Sequence, residues 1–144
     1  MRHILNLFDL DAAEIETIFD IATDLRDKFE QGVREPLLPG RVMGLLFEKP
    51  SLRTRVSFEA SMAHLGGSSL YLGKDVGWGK REAVQDFARV LSQYVDVIVC
   101  RTGDHKRVQQ LARYSTCPVI NGLTPESHPC QALTDLFTLK SNHG

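Results

Sequence analysis

The sequence predicts an α/β fold of three layers, with a four-stranded parallel sheet flanked by helices. Four short apolar runs alternate with segments of helical period. The runs are apolar at nearly every position, so each strand is buried on both faces, as in a parallel sheet. Glycines and prolines punctuate the joints between elements.

Asp11 with Glu14 three residues on marks a helix start, Asp11 taking the N-cap role. Ile15, Ile18, Phe19, Ala22, Leu25 and Phe29 then share one helical face, and Gln31-Gly32 ends the helix. A loop carrying Pro36, Pro39 and Gly40 leads to a first strand, Val42 to Phe47. A helix follows from about Thr54 to Leu65, stopped by Gly66-Gly67. Ser69 to Leu72 is a short strand, and the three-glycine stretch Gly73 to Gly79 is a loop. Arg81 to about Tyr94 is helical, with Val84, Phe87, Ala88 and Leu91 on one side. Val95 to Cys100 is a strand of β-branched character. A helix over Asp104 to Tyr114, a strand over Pro118 to Asn121 and a helix over Pro129 to Leu139 complete the chain, with Pro129 in the last helix's first turn.

The chain has 144 residues, 42% hydrophobic and 24% charged, an ordinary globular balance for one domain. A net charge of −1 gives no electrostatic case for nucleic acid or an anionic membrane, so any anion site is local. Cys100, Cys117 and Cys130 have neither an even count nor metal-ligand spacing, which predicts no disulfide framework and no zinc. The opening MRHILNLFDLD lacks a signal-peptide pattern, and no apolar run approaches the roughly 20 residues of a membrane helix. A soluble, reduced, cytoplasmic protein is expected. The stretch KSNHG follows the last helix without further strands, so one domain of a larger protein is expected.

Ligands of open parallel sheets bind beyond the carboxyl ends of the strands. Those ends carry Ser51, Leu52, Arg53, Thr54 and Arg55 after the first strand and Arg101-Thr102 after the third. His128, Pro129, Cys130 and Gln131 follow the fourth. A helix N-terminus presents free N–H groups and partial positive charge. Hydroxyls from Ser51 and Thr54 and the fork of Arg53 would complete a phosphate cradle. Neither GxxxxGK[ST] nor GxGxxG occurs. Each residue also has a plain reading. Ser51 can be a helix cap, Arg55 can pair with Glu59, Arg101 with Asp104, Trp78 can be loop packing, and Cys130 a small buried side chain. The convergence of three strand ends favours a site.

FEKPSLRTRVSFE resembles the carbamoyl-phosphate signature of the aspartate and ornithine carbamoyltransferases, where Ser-Thr-Arg-Thr-Arg is usual. LARYSTCPVINGL with HPCQAL, and the helix ending DFARVLSQYVD, resemble the ornithine branch. The resemblance spans essentially the whole chain. It implies that residues 1–144 are the carbamoyl-phosphate-binding domain and that the ornithine-binding domain is absent, since neither Asp-x-x-x-Ser-Met-Gly nor His-Cys-Leu-Pro occurs. The implied reaction moves the carbamoyl group to the side-chain amine of ornithine, without metal, cofactor or covalent nucleophile. By the same resemblance Ser51, Leu52 (through its backbone), Arg53 and Thr54 hold phosphate. Arg101, His128 and Thr54 act on the carbamoyl group. Gln131, with Pro129 and Cys130 beside it, binds the carbamoyl amide. A homotrimer is implied, with Trp78 and Lys80 reaching from the glycine loop to a neighbouring subunit.

Leu52 stands where threonine is usual, and Gly77 where ornithine enzymes often carry glutamine. Leu52 and Trp78 keep other acceptors open: N-acetylornithine, N-succinylornithine, putrescine or aspartate, with HPCQ and FEKPS arguing against aspartate. A non-catalytic anion-binding module is the alternative from a different class.

Overall fold

The computed structural model describes all 144 residues. Five helices and four strands alternate: α1 (Ala12–Glu30), β1 (Val42–Phe47), α2 (Leu52–His64), β2 (Ser68–Leu72), α3 (Val84–Tyr94), β3 (Val97–Arg101), α4 (His105–Tyr114), β4 (Val119–Leu123) and α5 (Pro129–His143). The strands form one parallel sheet in the order β2-β1-β3-β4. The expected three-layer α/β class is the observed one.

Side chains alternate across the sheet. Leu46, Ile98, Cys100 and Val119 face α3 and α4, where they meet Phe87, Ala88, Val108, Leu111 and Ala112. Met43, Leu45, Phe47 and Val99 face the opposite way, toward Met62 and Phe58 of α2. Both faces are therefore covered, which is why the strands show no polar alternation. α1 packs on α5 through Phe19 and Phe137, ring centroids 5.4 Å apart.

Local signals fix most boundaries. At α1 the capping box is complete: Glu14 N–H donates to Asp11 at 2.8 Å, and Asp11 N–H to Glu14 at 2.9 Å. α2 ends at His64 with Leu65 as its C-cap, followed by Gly66 at φ +86°, a conformation glycine adopts without strain.

α5 runs on to His143 rather than stopping at Leu139, so Lys140–His143 of the KSNHG stretch belong to the helix and do not follow it. Four further boundaries differ from expectation for local reasons. α2 begins at Leu52 rather than Thr54, because Ser51 is its N-cap. α3 begins at Val84 rather than Arg81: Glu82 bridges to Trp78, and Ala83 is extended with no side chain able to cap. β3 begins at Val97, because Val95 closes α3 through its N–H to Leu91 and Asp96 ties to strand β1. β4 runs on to Leu123 beside the end of β3. The sequence also gave no sign that Ile4 would bridge Ile120, with Ile4 N–H bonded to Val119 O at 2.9 Å. That contact covers part of the β4 edge.

Candidate functional site

The register of the sheet brings three loops out together. Phe47 lies opposite Arg101, and Arg101 opposite Leu123. Glu48 N–H donates to Arg101 O at 2.9 Å, and Thr102 N–H to Leu123 O at 3.1 Å. The loops after β1, β3 and β4 therefore leave the sheet at one level.

On the first loop, Ser51 is extended and caps α2, its hydroxyl accepting from Thr54 N–H at 3.4 Å. Starting the helix at Leu52 leaves the N–H groups of its first turn without helical acceptors. Leu52 is 80% exposed, and Arg53 is exposed beside it. Thr54 turns inward and accepts from Arg101 Nη1 at 3.3 Å. This bond joins the first two loops.

The expected alternative pairing of Arg101 with Asp104 does not form. Asp104 caps α4 instead, accepting from Lys106 N–H at 3.0 Å. Arg101 keeps a buried Nε with no partner. Arg55 does pair with Glu59, at 3.3 Å, and stacks 3.6 Å over the Tyr71 ring, which gives it a structural role.

On the third loop, His128 precedes α5 and Pro129 opens it. Burial lowers the His128 pKa, and the charge of Arg101 lowers it further against a smaller opposing pull from Asp135, so the ring is neutral at pH 7. Its Nδ1 is buried without a partner. Asn121 secures this loop by donating to Leu5 O at 2.9 Å and Ser127 O at 3.1 Å. His105 Nδ1 meets Thr124 Oγ1 at 2.7 Å.

The neighbours of His128 are placed differently. Pro129 is buried as packing. Cys130 donates its thiol to Asn121 O at 3.8 Å, and burial pushes its pKa up, so it is a protonated thiol. Gln131 is exposed and donates to Asp135 one turn on at 2.9 Å. Thr54 and Arg101 are thus joined directly and His128 lies within the electrostatic reach of Arg101, while Gln131 is turned along its own helix.

The glycine loop behaves otherwise than its composition indicates. Trp78 is 4% exposed and packs against Phe87 with ring centroids 6.0 Å apart, the plain packing role. Lys80 is exposed and shares with Glu48, Lys74, Trp78 and Arg107 a pocket of about 130 Å³. A second groove, of about 360 Å³, runs past Lys49, Arg101, Thr102, Gly103, Leu123, Thr124 and Pro125.

With this geometry in view, the comparisons with known proteins are decisive. Residues 2–141 match the aspartate/ornithine carbamoyltransferase, carbamoyl-P binding domain. The chain belongs to that family. An ornithine carbamoyltransferase from Anoxybacillus flavithermus is 49% identical over 139 residues, 96% of this chain and 44% of that protein. The solved ornithine carbamoyltransferase from Pyrococcus furiosus superimposes with a TM-score of 0.95 at 49% identity, covering 98% of this chain and 45% of that one. The catalytic subunit of M. jannaschii aspartate transcarbamoylase gives 0.89 at 33% identity, covering 99% and 47%. The chain spans about half the length of the curated relatives it matches.

In this carbamoyl-P binding domain, sequence reasoning missed Glu48, Lys49, Arg107 and Thr124 at the same edge. Glu48 lies inside the quoted motif, but a carboxylate beside a phosphate cradle reads as repulsive. Its partner Arg107 is 59 positions away.

Proposed function

We propose that this chain is the carbamoyl-phosphate half of an ornithine carbamoyltransferase, which moves the carbamoyl group of carbamoyl phosphate to the side-chain amine of L-ornithine. The observation that carries this reading is the Arg101–Thr54 bond at 3.3 Å, which sets an arginine with an unpartnered Nε against the first turn of α2. Helix N–H groups, the hydroxyls of Ser51 and Thr54 and the Arg53 guanidinium suit a phosphate.

The amine nitrogen attacks the carbonyl carbon, and charge builds on the carbonyl oxygen. Arg101 and His128 serve as preorganised donors to that oxygen, with Thr54 holding Arg101 in place. One such donor is typically worth about 10²–10³ in rate. A C–N bond forms, the C–O bond to phosphate breaks, the amine loses a proton, and citrulline and phosphate leave. Leu52 contributes its backbone N–H to the phosphate. Gln131, released from Asp135, takes the carbamoyl amide, with Pro129 and Cys130 setting its place on α5. No metal or organic cofactor has a part in this scheme.

In this reading the amino acid is held by the part of the enzyme that lies outside the half of its relatives' length spanned here. The active assembly is a homotrimer in which the glycine loop, through Lys80 and the Trp78 segment, meets a neighbouring subunit. A role in arginine synthesis or breakdown follows from the reaction, and a cytoplasmic setting is part of this proposal.

A second reading keeps the chemistry and changes the amine to N-acetylornithine, N-succinylornithine, putrescine or aspartate. It is favoured by Leu52, whose 80% exposed side chain has no packing role and stands at the site as an apolar surface. Calorimetry tests the main reading: carbamoyl phosphate binds this chain more tightly than inorganic phosphate, and Gln131→Ala removes the difference. Equal affinities would favour the non-catalytic anion module. Citrulline formation from ornithine at ordinary enzyme rates by this chain alone would overturn the half-site assignment.

A further inference from the structure

Glu48 and Arg107 are charged, partly buried and outside the proposed phosphate cradle. Glu48 Oε2 accepts from Thr102 Oγ1 at 2.8 Å and from Gly103 N–H at 3.1 Å, while Oε1 pairs with Arg107 Nη1. Burial pushes the Glu48 carboxyl up, but the bonds from Thr102, Gly103 and Arg107 together hold it below the usual carboxylate range. It is therefore an anion at neutral pH. One carboxylate thus pins the turn next to Arg101 and recruits a cation from α4.

Arg107 then reaches the glycine loop. Its guanidinium lies 5.9 Å over the Trp78 ring. It also passes Gly79 so closely that a Cβ there would stand 3.3 Å from its Cζ, and Gly79 has φ +71°. The loop has few other anchors. The N–H groups of Val76, Gly77, Lys80 and Arg81 bond to Gly73 and Lys74 and, for the last two, to Gly77, all within the loop. What joins it to the body is the packing of Trp78, with Val76 beside it, and the guanidinium above.

We propose that Glu48 and Arg107 act as one positioning unit that ties the glycine loop to the turn carrying Arg101, so that loop seating and anion occupancy at the strand ends are coupled. Glu48 fixes the Thr102–Gly103 turn and, through Arg107, the place of Trp78. Neither side chain is assigned contact with the ligand. The coupling half of this inference rests on the proposed anion site, whereas the tether half stands on the ligand-free contacts.

Trp78 is the only tryptophan in the chain, so its fluorescence reports the loop directly. The experiment follows Trp78 emission and acrylamide quenching in the wild type, Arg107→Ala, Glu48→Gln and the control Arg113→Ala. Circular dichroism checks that each variant is folded. Without ligand, both pair variants are expected to shift emission to the red and raise quenching severalfold, and the control to do neither. Unchanged quenching in both folded pair variants overturns the tether.

Inorganic phosphate and carbamoyl phosphate are then titrated, with amide shifts at Ser51–Thr54 read in parallel. In the wild type, Trp78 emission moves as those amides move. In Arg107→Ala the amides still respond and the emission does not. A Trp78 response identical in both proteins, or none in the wild type while the amides shift, overturns the coupling. Amides that respond to neither probe refute the anion site itself and the coupling with it, and the tether is then judged by the quenching alone.

Discussion

The two ends of the sheet treat their charges in opposite ways. At the amino end, Asp96 accepts from Val42 N–H at 2.8 Å and from Arg41 Nη1 at 2.9 Å, and these bonds hold its carboxyl below the usual range. The cavity beside this pair, about 450 Å³, is lined mainly by apolar groups such as Met43, Phe58, Met62 and Val97. At the carboxyl end, Arg101 and His128 each keep a buried nitrogen without a partner, and Arg53 makes no ion pair. Buried polar groups are ordinarily satisfied. One end uses its polar groups to close the fold, while the other holds donors in reserve.

Replacing Arg101 tests this contrast most strongly. Arg101→Met should reduce carbamoyl phosphate affinity about ten- to a hundredfold, the range for hydrogen bonds to charged groups, and leave the melting temperature unchanged or higher. Asp96→Asn should do the reverse, lowering the melting temperature in calorimetric scans without changing carbamoyl phosphate affinity. Because the folded pKa of Asp96 is depressed, its contribution is present above the unfolded value of about 3.9 and is lost as pH falls through the folded one.

His128 gives a smaller effect with a defined sign. Its folded pKa is also lowered, so the unfolded chain takes up the proton first. Stability should therefore decline as pH drops below about 6.5, and His128→Gln should flatten that part of the profile in urea titrations. Adding phosphate should raise the His128 pKa, read from its ring protons by NMR, because a bound anion favours the imidazolium. The least effect is expected at Arg55, whose pair with Glu59 is part-exposed. Arg55→Ala should cost no more than about 1 kcal/mol in stability and leave phosphate binding intact.

Legibility in the sequence followed the range of the interaction. The Asp11–Glu14 capping box, the strand runs and the Pro129 helix start are local, and they were readable. The shared edge of the candidate site's three loops was readable too, because parallel topology sends the ends of β1, β3 and β4 to one side. Contacts across the fold were not. Arg101 stood three residues from Asp104, which made that pair plausible, yet its partner is Thr54, 47 positions away. Packing was the plain reading of Trp78, but nothing local named Phe87 as the surface it packs on. Ile4 joined β4 through a single bridge that no periodicity announces.

The central claim is that the carboxyl end of the sheet is an open site for the phosphate and carbamoyl groups of one ligand. Amide NMR during a carbamoyl phosphate titration, with inorganic phosphate as the reference, tests it most directly. The account predicts tighter binding of carbamoyl phosphate, with shifts at Ser51–Thr54, Arg101 and His128–Gln131 and none at Arg41, Val42 or Asp96. Equal binding of the two anions, or shifts centred on the Arg41–Asp96 end, would contradict it.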